Sequence, residues 1–284
     1  MSFGHALQLA VTDPPLFARK CFARATAALP FFPRRAVLRL GDVRFECDFA
    51  LGPKVRDMYF GAYEPEEVAA FRRLIHPGDT VVDAGANIGY FTAVAASLVG
   101  PEGEVHSFEP VPAYHERLTR VRDLNPRYRL HLNSDALGAE EGRAEIRVSG
   151  AGNLGWNTLV PELLSRDAAA STHSVRVRRL DQYLDEHAVG RLALLKVDVE
   201  GFELPLMRGF TPWFERRSER PAIVCEVAPG AYPPQGARVA DLFELLARYG
   251  YRSYSLTKKR RPIAPSDLHG TANVLFHSGE GFAL

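Results

Sequence analysis

One seven-residue run, Asp83-Ala84-Gly85-Ala86-Asn87-Ile88-Gly89, restricts what this chain can fold into more than any other part of it. It follows the apolar, β-prone stretch Thr80-Val81-Val82. It leads into Ile88 to Leu98, which has helical spacing and stops at Gly100-Pro101. A strand that turns through glycines directly into a helix opens a parallel sheet with helices packed on its faces. Gly85 and Gly89 are the residues that allow so tight a turn and a close backbone approach to a ligand.

The same alternation continues downstream. Glu104 to Phe108 reads as a strand, a helix follows from Pro112 to before Asn125-Pro126, and Arg129 to Leu132 is a third strand. Leu192 to Val197 and Ala222 to Cys225 are continuous apolar runs of the buried-strand type. A helix over Asp241 to Arg248 precedes two late strands, Arg252 to Leu256 and Asn273 to His277, with no long helix between them. Two final strands joined without a crossover helix imply an antiparallel edge. The expected fold is therefore α/β and Rossmann-like, with a mostly parallel seven-stranded sheet, an antiparallel edge strand and an N-terminal extension of helices and a hairpin. Residues 1–76 form that extension, with a hairpin over Val37 to Phe49 and a helix over Pro65 to Ile75, and are expected to act as a substrate lid or oligomer contact. Residues 77–284 form the main domain. Between its third and fourth strands, Glu145 to Val148 and Ser174 to Arg178 alternate like strands around a glycine-rich loop, Gly150 to Leu159.

The turn fits D-x-G-x-x-x-G. The helix after it offers free N–H groups to a carboxylate, and Asp83 can accept from an ammonium group. Glu109 ends the next strand, where a carboxylate can take both hydroxyls of a ribose. The third strand runs into Asn133-Ser134-Asp135-Ala136. Asp135 there could accept from an adenine amine and Ala136 could donate its N–H, although a plain solvated loop is the alternative. An amino acid carboxylate and ammonium, a ribose and an adenine together describe S-adenosylmethionine. Nicotinamide-dependent hydride transfer shares the ribose carboxylate but is disfavoured. The third glycine of G-x-G-x-x-G is missing, and Asp83 would repel a pyrophosphate.

Asp198 and Glu226 end the fourth and fifth strands, and Glu200 and Glu203 stand at the start of the intervening helix. Asp198, Glu200 and Glu226 can act as general base or orienting groups for a substrate hydroxyl. They can equally form an oxygen site for Mg²⁺ or Ca²⁺. Helix-start capping is the third reading for Glu200 and Glu203. His106 and His131 lie within strands and read as packing residues. His173 is the one histidine placed as a candidate base, with Trp156 and Asn157 in the loop as substrate contacts.

These segments resemble the successive motifs of the FkbM family of methyltransferases. They are Asp83 to Thr92, Phe108-Glu109-Pro110, Ala136-Leu137-Gly138 and Leu195-Lys196-Val197-Asp198-Val199-Glu200-Gly201-Phe202-Glu203, with Met58 to Glu64 upstream. The resemblance covers about residues 60–230, and Asp135 stands where a smaller residue is usual. It implies a class I methyltransferase that moves a methyl group from S-adenosylmethionine to a hydroxyl of a sugar, polyketide or other secondary metabolite. A cofactor-binding protein with changed or lost chemistry is the alternative. Together with the residue reading it places Asp83, Gly85, Ala86, Asn87, Gly89, Tyr90, Phe91, Thr92, Glu109, Pro110, Ser134, Asp135, Ala136 and Asp198 around the cofactor.

Composition narrows the partners. A net charge of +1 sets up no field for nucleic acid. Three scattered cysteines make neither a disulfide framework nor a cysteine-based zinc site. No apolar run is long enough to span a bilayer, and no secretion signal is read at the N-terminus. Cytoplasmic location, a small-molecule hydroxyl acceptor and homodimer contacts are the expectations. The basic, apolar stretch from Arg19 to Arg35 is interrupted by Pro30 and Pro33, which favours a helix packed on the core over one lying on a membrane. Lys258-Lys259-Arg260-Arg261 reads as a solvated turn.

Overall fold

The computed structural model describes residues 9–29, 31–150, 157–160, 162–164, 169–256 and 261–279. Trp156 and Lys258 to Arg260 lie outside them. The extension comprises helix α1 (Pro14–Ala25), the hairpin β1 (Arg35–Leu40) and β2 (Val43–Asp48), and helices α2 (Pro53–Tyr59) and α3 (Pro65–Leu74). Asp13 caps α1 by accepting from Leu16 N at 3.1 Å, and Pro14 fills the first helical position. Along β2 the side chains of Val43, Phe45 and Cys47 alternate inward and are buried.

The main alternation follows as β3 (Thr80–Ala84), α4 (Tyr90–Val99), β4 (Glu104–Phe108), α5 (Pro112–Leu124) and β5 (Arg129–Asn133). Four short strands come next: β6 (Ala136–Leu137), β7 (Gly142–Val148), β8 (Asn157–Thr158) and β9 (Ser171–Arg178). Helix α6 (Leu180–Glu186), β10 (Leu194–Val197), α7 (Glu203–Glu215), β11 (Ala222–Val227), α8 (Val239–Ala247), β12 (Arg252–Ser255) and β13 (Ala272–His277) complete the chain. The large sheet has the order β12-β13-β11-β10-β3-β4-β5. Strands β11, β10, β3, β4 and β5 are parallel. The antiparallel pairing expected at the late edge is there, made by β13. That strand runs against both β11 and β12, one place in from the edge. The strands between Asp135 and Arg178 form a sheet of their own, ordered β6-β9-β7-β8. No sequence period announces β6 and β8, which are two residues each.

Helix α4 begins at Tyr90 rather than Ile88, because Asn87 and Gly89 hold left-handed backbone at φ +53° and +90°. The sheet is covered on both faces. Leu195 and Val197 of β10 join Val82, Ala84 and the side chains of α6, α7 and α8 on one face. On the other face, Leu194 joins Val81, Val105, α4 and the extension residues Val43, Phe45, Met58 and Phe71. Period-two alternation puts Lys196 on this second face, inside a strand that is otherwise apolar. The extension thus shares a core with the sheet. Phe45 is 1% exposed and meets the Tyr90 ring edge-on at 5.8 Å. Phe45→Ala should therefore cost ~3–5 kcal/mol of global stability in a single denaturant transition. A transition of the sheet left unmoved, with only the extension melting early, would refute this shared core.

Candidate active site

The strand order reverses at β3, with β10 on one side and β4 on the other. Beyond the carboxyl ends of strands at such a reversal a crevice is unavoidable. Here it is a solvent-open cleft of about 1150 Å³. Gly85 to Ile88, Tyr90 and Phe91 form one wall, and Glu109, Pro110, Asp135 and Ala136 form the next. Asp198, Glu200 and Glu226 face them, with Asn157 of β8 and Asn273 of β13. The extension closes the remaining side with Lys54, Met58, Tyr63, Glu64 and Glu67.

The glycines of the turn answer first to the protein itself. Gly85 has φ +80°, and a Cβ there would lie 1.8 Å from the carbonyl oxygen of Asp198. Gly89 has φ +90°, and its Cβ would strike Val121 and Leu118 of α5 at 2.7 and 2.9 Å. The turn's own N–H groups are largely consumed. Gly85 N and Ala86 N donate to Phe108 O, Asn87 N to Glu109 Oε2, Ile88 N to Asn87 Oδ1 and Gly89 N to Ala86 O. The opening residues of α4, Tyr90 and Phe91, remain to offer N–H groups at the cleft wall.

Glu109 is 4% exposed, and its oxygens accept from Asn87 N and Val111 N, both at 2.8 Å. Burial outweighs those two bonds and pushes its pKa up to about 7. Asp83 lies behind the turn rather than in the cleft lining. Its Oδ2 accepts from Thr92 Oγ1 at 2.7 Å, and Thr92 is in turn 2.9 Å from Ser107 Oγ. Asp83 Oδ1 is buried with no hydrogen-bond partner, and burial holds the acid above the ordinary aspartate range. An orphaned buried carboxylate oxygen beside the opening of a helix suits a ligand that brings an ammonium group close by.

The other end of the cleft is organised around Lys196, which is 2% exposed. Its Nζ donates to Asp198 Oδ2 at 2.9 Å, lies 3.9 Å from Glu67 Oε1 and sits over the Phe91 ring at 4.9 Å. Burial works against its charge, yet the carboxylates of Asp198, Glu67 and Asp83 outweigh it and hold the pKa well above the usual lysine range. Around this cation, burial pushes Glu67 and Glu200 up to about 8. The Asp198 carboxylate, with burial, pushes Glu226 up to about 9. Glu200 itself holds left-handed backbone at φ +48°, braced where its carbonyl accepts from Thr158 Oγ1 at 2.8 Å. Glu203 bonds Gly201 N at 2.6 Å and stays out of the cleft wall, as a capping residue does.

The cleft therefore gathers Gly85, Ala86, Asn87, Tyr90, Phe91, Glu109, Pro110, Asp135, Ala136, Asn157, Asp198, Glu200 and Glu226. Gly89 and Thr92 support it from behind, and Ser134 is exposed beside it. Asp135 lies 3.9 Å from Arg178 Nε. His173 bonds Ser171 at the outer end of β9 and does not line the cleft. Sequence reasoning missed Lys54, Tyr63, Glu64, Glu67, Lys196 and Asn273. One signal was available: a lysine in the middle of a buried strand must have a counter-charge.

Comparison with known proteins agrees with this geometry. The signature of the Methyltransferase FkbM domain matches residues 83–253, more than half of the chain. The AMB antimetabolite synthetase AmbE of Pseudomonas aeruginosa is 28% identical over 220 residues, which are 66% of this chain and 10% of that one. Methyltransferase sdnD of Sordaria araneosa is 28% identical over 65% of this chain and 77% of its own. The 31-O-demethyl-FK506 methyltransferase FkbM of Streptomyces tacrolimicus is 26% identical over 48% of this chain and 60% of its own. The match thus spans a small part of the first relative and most of the other two.

The raised carboxyl pKa values fix the sign of a pH dependence. Glu67, Glu109, Glu200 and Glu226 bind their protons more tightly folded than at their ordinary value of 4.5, so folding takes up protons between about 4.5 and 9. The stability they contribute is complete below 4.5 and is lost as pH rises through about 7 to 9. The melting temperature of the ligand-free protein should fall between about pH 5 and pH 9, and Glu109→Gln should flatten the slope. A melting temperature that rises over this interval would show that burial does not govern these acids.

Proposed function

This chain belongs to the FkbM family of methyltransferases, and we propose that it transfers the methyl group of S-adenosylmethionine to a hydroxyl of a sugar, polyketide or other secondary metabolite. S-adenosylmethionine supplies an electrophilic methyl on a sulfonium. In this reading Glu109 takes the ribose hydroxyls with the lone pairs its backbone contacts leave free, and Asp135 and Ala136 flank the adenine. Tyr90 and Phe91 N–H groups receive the carboxylate, and Asp83 attracts the ammonium from behind the turn. The observation that carries the acceptor side is the pairing of Lys196 Nζ with Asp198 Oδ2 at the cleft's inner end. With Oδ2 held by Lys196 and Glu226 hydrogen-bonded to the same carboxylate, Asp198 is oriented to take the proton of an acceptor hydroxyl as its oxygen displaces the sulfonium sulfur. Glu200 and Glu226, with their pKa values at about 8 and 9, are protonated near neutrality and can donate hydrogen bonds that orient a polyol. Oxygen chemistry is also in the name of the Streptomyces relative, and bringing it to this chain is part of the proposal.

A second reading has one observation behind it. Single carboxylate oxygens of Asp198, Glu200 and Glu226 lie within 4.8 Å of one another. An all-carboxylate set suits Mg²⁺, which would lower the hydroxyl pKa in place of direct proton abstraction.

Glu109→Ala should weaken S-adenosylmethionine binding by ~1.5–3 kcal/mol in calorimetry, and unchanged affinity would remove the ribose role. Methyl transfer from labelled S-adenosylmethionine to a panel of glycosides and polyketide alcohols tests the acceptor. Asp198→Asn should lower kcat by ~10²-fold or more and keep cofactor binding. Loss of turnover in EDTA with recovery in Mg²⁺ selects the metal reading, and indifference to EDTA selects direct abstraction. Cofactor binding without transfer to any hydroxyl sinks the acceptor class and leaves the cofactor site standing.

A further inference from the structure

At the opposite end of β4 from the cleft, a second set of ligating side chains converges. Glu104 opens β4, His106 follows on the same face, and His131 of β5 is the direct cross-strand partner of His106. The two imidazoles stack with centroids 4.4 Å apart. Their Nε2 atoms lie 3.5 and 3.6 Å from a single atom, Glu104 Oε2. Neither Nε2 has a hydrogen-bond partner, although both are shielded from solvent. The other oxygen, Oε1, accepts from Arg129 Nη1 at 3.4 Å, so the carboxylate is divided between a guanidinium and two imidazoles. His106 is fully buried. Its Nδ1 lies 2.9 Å from the Tyr183 hydroxyl, to which Asn133 Nδ2 donates at 3.0 Å. A hydroxyl oxygen has two lone pairs and can accept from both; in the tautomer with the proton on Nδ1, the lone pair of His106 lies on Nε2.

We propose that Glu104, His106 and His131 form a binding site for a late first-row divalent cation, with Zn²⁺ the best match. A tetrahedral ion with bonds of about 2.0–2.1 Å sets its ligand atoms roughly 3.3–3.4 Å apart, close to the two nitrogen–oxygen separations found here. Because the rings are only 8° from parallel, the partly exposed His131 ring must turn to aim its Nε2 lone pair at an ion shared with His106. Two imidazoles and one carboxylate select Zn²⁺, Ni²⁺ or Cu²⁺ over Mg²⁺ and Ca²⁺. Tyr183 provides the outer contact that orients a ligating imidazole. Glu104 and His131 border a solvent-open groove with Arg122, Asp123 and Tyr128, which supplies an entry path and room for a fourth, solvent ligand. The five residue steps from Glu104 to Glu109 span roughly 16 Å of strand, so this site shares nothing with the cleft. Because β5 is the edge strand of the large sheet, the ion fastens that edge to its neighbour.

Zn²⁺ titrated into the full chain tests this by calorimetry and by the shift in melting temperature. Wild type should bind one equivalent and melt higher with Zn²⁺ present. Removing His106 leaves a cavity, so the variants of choice are the partly exposed His131→Ala and Glu104→Gln. Each should weaken Zn²⁺ binding roughly tenfold or more and remove the melting shift. Uptake lost in Asp198→Asn but kept in His131→Ala belongs to the carboxylates of the cleft and counts against this site. Co²⁺ in place of Zn²⁺ should give visible absorption bands that His131→Ala abolishes. No uptake by folded wild type, or uptake that survives His131→Ala, overturns the site.

Discussion

A buried ammonium group governs this molecule. Lys196 stands in the central strand β10, and a cation in a protein interior is tolerable only among carboxylates that bond to it. Asp198 on the same strand, Glu67 from the extension and Asp83 on β3 meet that need from three separate parts of the chain. The pairing register of β10 with β3 sets Lys196 beside Asp83 and brings Asp198 against the glycine turn. The extension packs where it does partly because Glu67 must reach the same ammonium. The glycine turn, the inner end of the cleft and the N-terminal region are thus tied to one charge.

That dependence gives the carboxylates of the cleft their unequal characters. The acid nearest the Lys196 ammonium is Asp198, which accepts from it at 2.9 Å. Glu200 and Glu226 are left to share a poorly solvated space with an anion beside them, and both keep their protons to a higher pH. Acids that keep their protons near neutrality can donate hydrogen bonds, which an ordinary carboxylate cannot.

Much of this was legible in the residues. Strand, turn, helix and terminal acid recur with enough regularity that β3 to β5, β10, β11 and the cleft's position all follow from periodicity and punctuation. Glu109 and Asp198 could be placed because an acid at the end of a parallel strand has one place to go. The contributions of Tyr63, Glu64 and Asn273 were not legible, since they come from elements distant in sequence and only tertiary packing brings them together. The tight turn expected of the glycines is there, at φ +80° and +90°, but what packs against them was not legible, for a related reason. A pattern shows that a Cβ is forbidden but not which atom forbids it, and here the atoms are Asp198 O and the side chains of α5.

The shared core of extension and sheet bears on how such an enzyme can acquire new acceptors. Lys54, Met58 and Tyr63 line the cleft, so recombination that swaps this segment between relatives changes the cleft's lining. The segment also carries Phe45 and Phe71 of the hydrophobic interior and Glu67, whose Oε1 lies 3.9 Å from the Lys196 ammonium. A transplanted segment must therefore arrive with an acid at the position of Glu67 and aromatic rings that fit against Tyr90 and Phe91, or the recipient will not fold. Diversification of this part of the molecule is confined to the few side chains that face the cleft without touching the lysine.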